Sequence, residues 1–392
     1  MSKIVNSVKN KLKSHPFLRK IFQHLYIGPG LNILNNSHRH VLFNSKFEKN
    51  INSMIVDYSL ESTKKYIDNS INWLQHNQKQ QKDNGISCFI YWNFGKTVLG
   101  GSYPEVNGYI IPTLISYSDK FNDVTSFESA IKLGDFLLTQ QNPDGSFPGG
   151  AIGWLEGPRV FNSAQIVHGL IELYKKTKEN KYLQSLDKCC EWMVSIQESD
   201  GSWGKNNYRE FKRTYDSKVS QALLEASELG NRDKYASSAQ KNLDFVLRNQ
   251  ISNGWFRNAD NSVHRNKEPL THTIGYTIQG LIEAYKITSD KRYLASARRP
   301  LSKLLHIFEV SHEPLKGRFD KNWKSTVSSI CVTGCAQISI CWLEYYLITK
   351  DNRYLNAALK MNDALKLLQI KSTDLLISGS LPASAPFWGD YG

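Results

Sequence analysis

FLLTQQNPDGSFPGG at residues 136–150 and WMVSIQESDGSW at residues 192–203 decide how this chain is read. Each holds an aromatic residue, a glutamine five places later and a glycine four beyond that: Phe136, Gln141 and Gly145, then Trp192, Gln197 and Gly201. FVLRNQISNGWF at 245–256 repeats the spacing with Phe245, Gln250 and Gly254, and Trp73 with Gln78 begins it upstream. Working outward, Gly85, Gly145, Gly201, Gly254, Gly317 and Gly379 stand 60, 56, 53, 63 and 62 residues apart. A period of that size means one supersecondary unit copied through an array.

Each unit reads as two helices. One opens at a polar turn with a tyrosine, as in KENKYL (Tyr182), NRDKYA (Tyr235), SDKRYL (Tyr293) and KDNRYL (Tyr354), and its apolar residues recur at three and four. The other ends in LIELY, LLEAS, LIEAY or WLEYY, with Glu172, Glu225, Glu283 and Glu344 in register. Alternating helices with short polar turns predict an all-α array. Five pairs and a first outer-type helix near residues 62–78 predict an (α/α)6 toroid over residues 51–392, preceded by a basic extension over residues 1–50. The sixth inner helix is expected either from the segment before residue 60 or from chain beyond Gly392.

The 392 residues are 40% hydrophobic and 22% charged, enough to bury a large core. No apolar run reaches the roughly 18 residues of a membrane span. Polar residues Lys20, Gln23 and His24 interrupt any signal-peptide core, so a cytoplasmic protein is expected. Its basic, partly apolar N-terminus is expected to touch the inner face of an anionic membrane. Six cysteines show no CxxC pair and no metal rhythm, and no cofactor motif is found. A net charge of +13 favours an acidic partner, and without a nucleic-acid motif an anionic glycan ranks first.

Repetition separates scaffold from chemistry. A residue present in every unit serves the architecture, so the four glutamates are assigned to it. Eight positions before them, and before Ser116, which takes their place in the first unit, Gly108, Ala164, Ser217, Gly275 and Ala336 form a small row, read as helix packing. One step on, Tyr109, Gln165, Lys218, Tyr276 and Gln337 are all polar, and their identities vary from unit to unit. Four residues earlier, on the same helical face, stand Glu105, Phe161, Thr214, His272 and Thr333. These rows are expected to line a central cavity, with Tyr215 beside them. Loops at the helix N-termini add Tyr103, Trp154, Glu156, Arg159, Tyr208, His264, Arg265, Arg318, Asp320 and Trp388 at the same rim. Aromatic rings beside charged groups suit a sugar-binding cleft.

At SYPEVNGYIIPT, FNSAQIVHGLIELY, LTHTIGYTIQGLIEAY, VTGCAQISICWLEYY and PFWGDYG, the chain resembles (α/α)-toroid proteins of bacterial capsule, exopolysaccharide and O-antigen gene clusters. The likeness covers roughly residues 60–392. More distantly it is similar to glucuronyl C5-epimerases, toroidal polysaccharide lyases and unsaturated-uronyl hydrolases. The DGSW turns also resemble those of squalene cyclases, but a DxDD motif is absent. Where the polysaccharide family carries an aspartate, this chain has Asn162.

Proton abstraction at C5 of a uronic acid needs a base, an acid and a cation for the carboxylate. Tyr276 or His272 is the expected base, Tyr109 the acid, and Lys218, Arg159 or Arg318 the clamp. Hydrolysis would instead pair Glu105 with Glu156 or Asp320. Gln165, Thr333 and Gln337 would hold sugar hydroxyls. A third reading is a non-catalytic subunit that binds polysaccharide or a lipid carrier.

Overall fold

A computed structural model describes residues 60–386, apart from Cys88, Phe94, Gly95 and Asn231, together with Gly389. Eleven α-helices dominate the described residues. Helix α1 (Leu60–Gln80) is followed by a hairpin of β1 (Ile90–Asn93) and β2 (Lys96–Leu99). Five helix pairs come next: α2 (Pro104–Phe121) with α3 (Val124–Gln140), α4 (Val160–Thr177) with α5 (Asn180–Ser195), α6 (Ser217–Ser227) with α7 (Asp233–Arg248), α8 (Thr271–Thr288) with α9 (Lys291–Ser311), and α10 (Val332–Thr349) with α11 (Asn352–Lys366). Strand β3 (Ile330–Cys331), just before α10, pairs antiparallel with β4 (Ser384–Ala385). The helices are as the periodicity predicts. The two small sheets sit in the loops, where alternation is too short to read.

Even-numbered helices form an inner layer in which α2 packs on α4, α4 on α6, α6 on α8 and α8 on α10. The small row makes this close approach possible. A Cβ on Gly108 would stand 2.4 Å from the Gln165 carbonyl oxygen, and one on Gly280 would stand 2.4 Å from Ser217 Oγ. Odd-numbered helices form the outer layer. Their repeated tyrosines are buried, and their hydroxyls reach the preceding outer helix: Tyr235 to Glu191 at 2.7 Å, Tyr354 to Ser302 at 2.9 Å.

The repeated glutamine is a clamp. Gln197 Nε2 donates to the carbonyls of Gly201 in its own turn and Ser238 on the next outer helix, while Ser238 Oγ donates back to Gln197 Oε1. Gln141 with Ser185 and Gln250 with Ser296 repeat the arrangement. Gly145, Gly201, Gly254 and Gly379 adopt φ of +91°, +90°, +92° and +91°. At Gly201 a Cβ would also meet the Lys241 carbonyl oxygen at 2.3 Å. Gly201→Ala therefore combines left-handed strain with backbone collision, and a loss of about 2–3 kcal/mol is expected by chemical denaturation.

The outer layer closes on itself. Gln369 performs the clamp after α11, donating to the carbonyls of Gly379 and Tyr66 and to Ser70 Oγ on α1, and Trp73 Nε1 of α1 donates to the Leu376 carbonyl. First and last outer helices are thereby locked together, as a six-hairpin toroid requires. Five inner helices are present among the described residues. The segment before residue 60, one of the two sources expected for the sixth inner helix, lies outside them, as does the basic extension over residues 1–50. No described helix is long and apolar enough to cross a membrane.

Candidate functional site

The loop-side end of the inner layer gathers side chains from helices that are not neighbours. Tyr109, on the second turn of α2, meets Tyr276 of α8 across the centre: the hydroxyls are 2.8 Å apart and the rings stack at 6.1 Å with a 9° interplanar angle. The Tyr109 hydroxyl also lies 3.4 Å from Glu105 Oε1, one turn earlier on α2. His272, one turn before Tyr276, places its ring 4.2 Å from the tyrosine ring. Phe161 of α4 stands edge-on to both Tyr215 and Tyr276, with ring centroids 5.1 and 5.2 Å apart. Tyr103, the extended residue that caps α2 ahead of Pro104, hydrogen-bonds Glu105 and receives a 3.4 Å bond from Asn162 Nδ2. Glu105, Tyr109, His272, Tyr276, Tyr103 and Tyr215 thus form one cluster.

This setting changes which groups hold protons. Burial lifts the Glu105 carboxyl to about 7, against the opposing hydrogen bonds of Tyr103 and Tyr109. Burial, with Tyr276 and Glu105 adding to it, pushes the Tyr109 phenol well above its ordinary range, so it stays protonated. Desolvation lowers His272 to about 4, leaving a neutral imidazole whose Nδ1 is buried without a partner. A carboxyl balanced near neutrality beside a protonated phenol is suited to moving one proton.

Lys218 does not join this group. Its Nζ donates to Gln221 Oε1 at 2.6 Å, Gln221 donates to Glu225, and Glu225 meets His168 Nδ1 at 2.7 Å. Burial lowers the Lys218 ammonium, with Glu225 and Glu283 opposing. Burial alone would raise Glu225, but the charge and hydrogen bond of His168, with Gln221 and Lys218, hold it at about 2. Glu225, assigned from the repeat to the scaffold, is therefore also the anchor of a buried polar chain deeper in the ring. Its register with three other glutamates hid that role. Gln165 is fully buried, its Nε2 on the Phe161 carbonyl and its Oε1 unpartnered. Gln337 bonds Gln279, and Thr333 is half-buried on the first turn of α10.

The rim candidates divide. Arg159, at the N-terminus of α4, pairs with Glu156 at 3.1 Å and keeps a buried, unpartnered Nε one turn from Asn162. Arg318 is completely buried in an ion pair with equally buried Asp260 at 2.8 Å, and it also holds the Glu268 carbonyl. Asp320 accepts the backbone N–H groups of Asn322 and Lys324 in its own turn. Trp388 lies outside the described residues. Asp216, which the sequence reading passed over, is buried and lifted to about 7, against the hydrogen bond of Asn207 and the charge of Arg213. Asn107 and Ser163 hold the same position in their units and tether the preceding loops at Ile86 and Phe147. The signal was an acid where the two preceding units carry Asn and Ser and the two following ones carry Ile274 and Cys335.

A family model described as the squalene-hopene cyclase C-terminal domain matches residues 97–278, less than half of the chain. No curated protein matches significantly by sequence. Among solved structures, an unsaturated glucuronyl hydrolase specific for heparin is 14% identical, with a TM-score of 0.61 over 79% of this chain and 85% of that one. A cellobiose 2-epimerase from Bacillus thermoamylovorans is 11% identical, with a TM-score of 0.63 over 83% and 90%. A glycosyl hydrolase of family 88 from Bacteroides vulgatus is 10% identical, with a TM-score of 0.58 over 82% and 88%. At these identities the likeness is one of fold, the (α/α)6 toroid.

Proposed function

We propose that the chain is a carbohydrate-active enzyme that moves a proton at a ring carbon of a glycan, as an epimerase or lyase. The observation that carries this reading is the Glu105–Tyr109–Tyr276 cluster at the centre of the ring. Glu105, ionised in part at neutral pH, takes the proton, and Tyr109 or Tyr276, hydrogen-bonded in line beside it, returns one to the ring carbon or to the leaving oxygen. The pair of roles differs from the sequence expectation of Tyr276 or His272 as base, because His272, held down at about 4, is a weaker base than Glu105.

A uronic-acid substrate suits the net charge of +13, and two of the structures similar in fold carry glucuronyl or hydrolase names. A uronate carboxylate would meet the partly exposed guanidinium of Arg159, whereas Arg318 is completely buried and Lys218 is engaged with Gln221. Hydrolysis is a weaker reading: its second carboxylate would be Glu156 or Asp320, and the first pairs with Arg159 while the second caps a turn.

Incubation with uronic-acid oligosaccharides in deuterated water tests the reading. Epimerisation places deuterium at C5, and elimination produces the ultraviolet absorbance of an unsaturated uronate. Reducing ends without either signal would replace it with hydrolysis. Tyr276→Phe is expected to lower kcat by roughly 10- to 100-fold, with little change in KM, because the phenol acts in proton transfer more than in binding.

A further inference from the structure

Four large apolar side chains stand exposed at the loop-side rim: Phe89 (41%), Tyr91 (51%), Trp154 (51%) and Leu155 (47%). Three rings at this rim touch: Phe89 lies 5.9 Å from Tyr103 and 5.6 Å from Trp154, and Tyr103 lies 6.2 Å from Trp154. Tyr91 follows Phe89 by two residues at the start of an extended strand, which puts both on one side of it.

The loop that carries Trp154 is held rigidly. Gly149 and Gly157 bond across it, Glu156 N–H returns to the Gly149 carbonyl, and Ile152 N–H is fixed to the Ser102 carbonyl. At its base, a Cβ on Gly101 would stand 1.9 Å from the Ile152 carbonyl oxygen. Pinning an exposed tryptophan in this way removes the entropy that a partner would otherwise have to offset on binding. Exposed apolar patches held in place mark interaction sites.

Tyr103 decides what the occupant is. Its ring touches both Phe89 and Trp154, while its hydroxyl end is bonded to Glu105 and Asn162. The platform is therefore continuous with the central cluster, and a ligand held there runs outward over it, flanked by Glu156 and Arg159. Pyranose rings present an apolar C–H face to an aromatic ring and hydroxyls to flanking charges. We propose that Phe89, Trp154 and Tyr91 form a second glycan subsite, which stacks the sugar next along the chain from the one at Glu105 and makes an oligosaccharide the preferred ligand. This rests on the reading that the ligand is a glycan.

Calorimetry on the Glu105→Gln chain, which holds ligand without turnover, would compare methyl glucuronide with an unsaturated uronyl disaccharide and tetrasaccharide. Roughly tenfold tighter binding is expected for each longer probe over the monosaccharide, from about 60 Å² of apolar surface buried on the platform. Trp154→Ala should erase that advantage and leave the monosaccharide Kd unchanged, and Trp154→Phe should keep most of it. Equal binding of all three probes, or an advantage that survives the Phe89→Ala/Trp154→Ala double variant, overturns the platform alone. No binding of any probe to either this chain or the wild type overturns both the platform and the glycan reading.

Discussion

Glu105→Gln is expected to abolish turnover, lowering kcat by about 10²- to 10⁴-fold, while the variant folds at least as well as the wild type. Glutamine keeps the shape and can still accept from Tyr103 and Tyr109, but it cannot take a proton. The stability half of this prediction follows from linkage. Glu105 has a folded value of about 7 against 4.5 for the ordinary group, so the folded chain binds the proton more tightly than the unfolded chain. Its contribution is fully present below pH 4.5 and is lost as the pH rises through 7. Above pH 7 the buried carboxylate costs on the order of 3 kcal/mol, which the variant recovers. Urea denaturation at pH 5 and pH 8 reads both ends: the variant should gain on the wild type only at the higher pH. A variant that loses activity and also unfolds more readily at pH 8 would make Glu105 a structural residue. The wild-type rate on a uronyl oligosaccharide should rise through pH 7 as Glu105 ionises, and a flat profile from pH 5 to 8 would remove it as the base.

Arg318→Met is expected to cost about 3–5 kcal/mol, the largest stability effect of any substitution considered. It leaves Asp260 fully buried with its hydrogen bonds from the Ser262 and Leu270 backbone but without a countercharge. The double variant Arg318→Met/Asp260→Asn should recover part of the loss, since the uncompensated charge is gone while the amide oxygen can still accept a backbone N–H. Thermal unfolding of the three chains checks this. If Arg318 were a substrate clamp, the single variant would instead keep its melting temperature and raise KM. Its side chain has no exposure, which argues for the first outcome.

Much of the toroid was readable because the scaffold repeats. Gln141, Gln197 and Gln250 recur at a fixed distance from Gly145, Gly201 and Gly254, and the structure shows one hydrogen-bonded clamp made three times. Gln369 escaped notice because ten residues, not four, separate it from Gly379, although it makes the same contact. In the candidate site, helical register put Tyr109, Tyr276, Glu105 and His272 on one expected face, and the structure brings the four side chains together. Register fixes the direction of the Cα–Cβ bond and nothing beyond it. Lys218 leaves α6 on the inward face, then bends toward Gln221 and Glu225, because its long stem lets the ammonium seek the nearest acids. Arg318 misled for another reason: its partner Asp260 lies 58 residues earlier, in a different loop, and no local pattern joins them.

The lock between α1 and the Gly379 turn has a consequence for biosynthesis. Trp73, Ser70 and Asn69 are made early, yet the groups that satisfy them, Leu376, Gly379 and Gln369, come some 300 residues later. Contacts of such separation are slow to form and leave the waiting surface open to wrong partners. On the ribosome the first outer helix must stay unpaired on one flank while every other hairpin stacks behind it. Completion is then a late event, in which the segment from Gln369 to Gly379 comes round to meet the first outer helix.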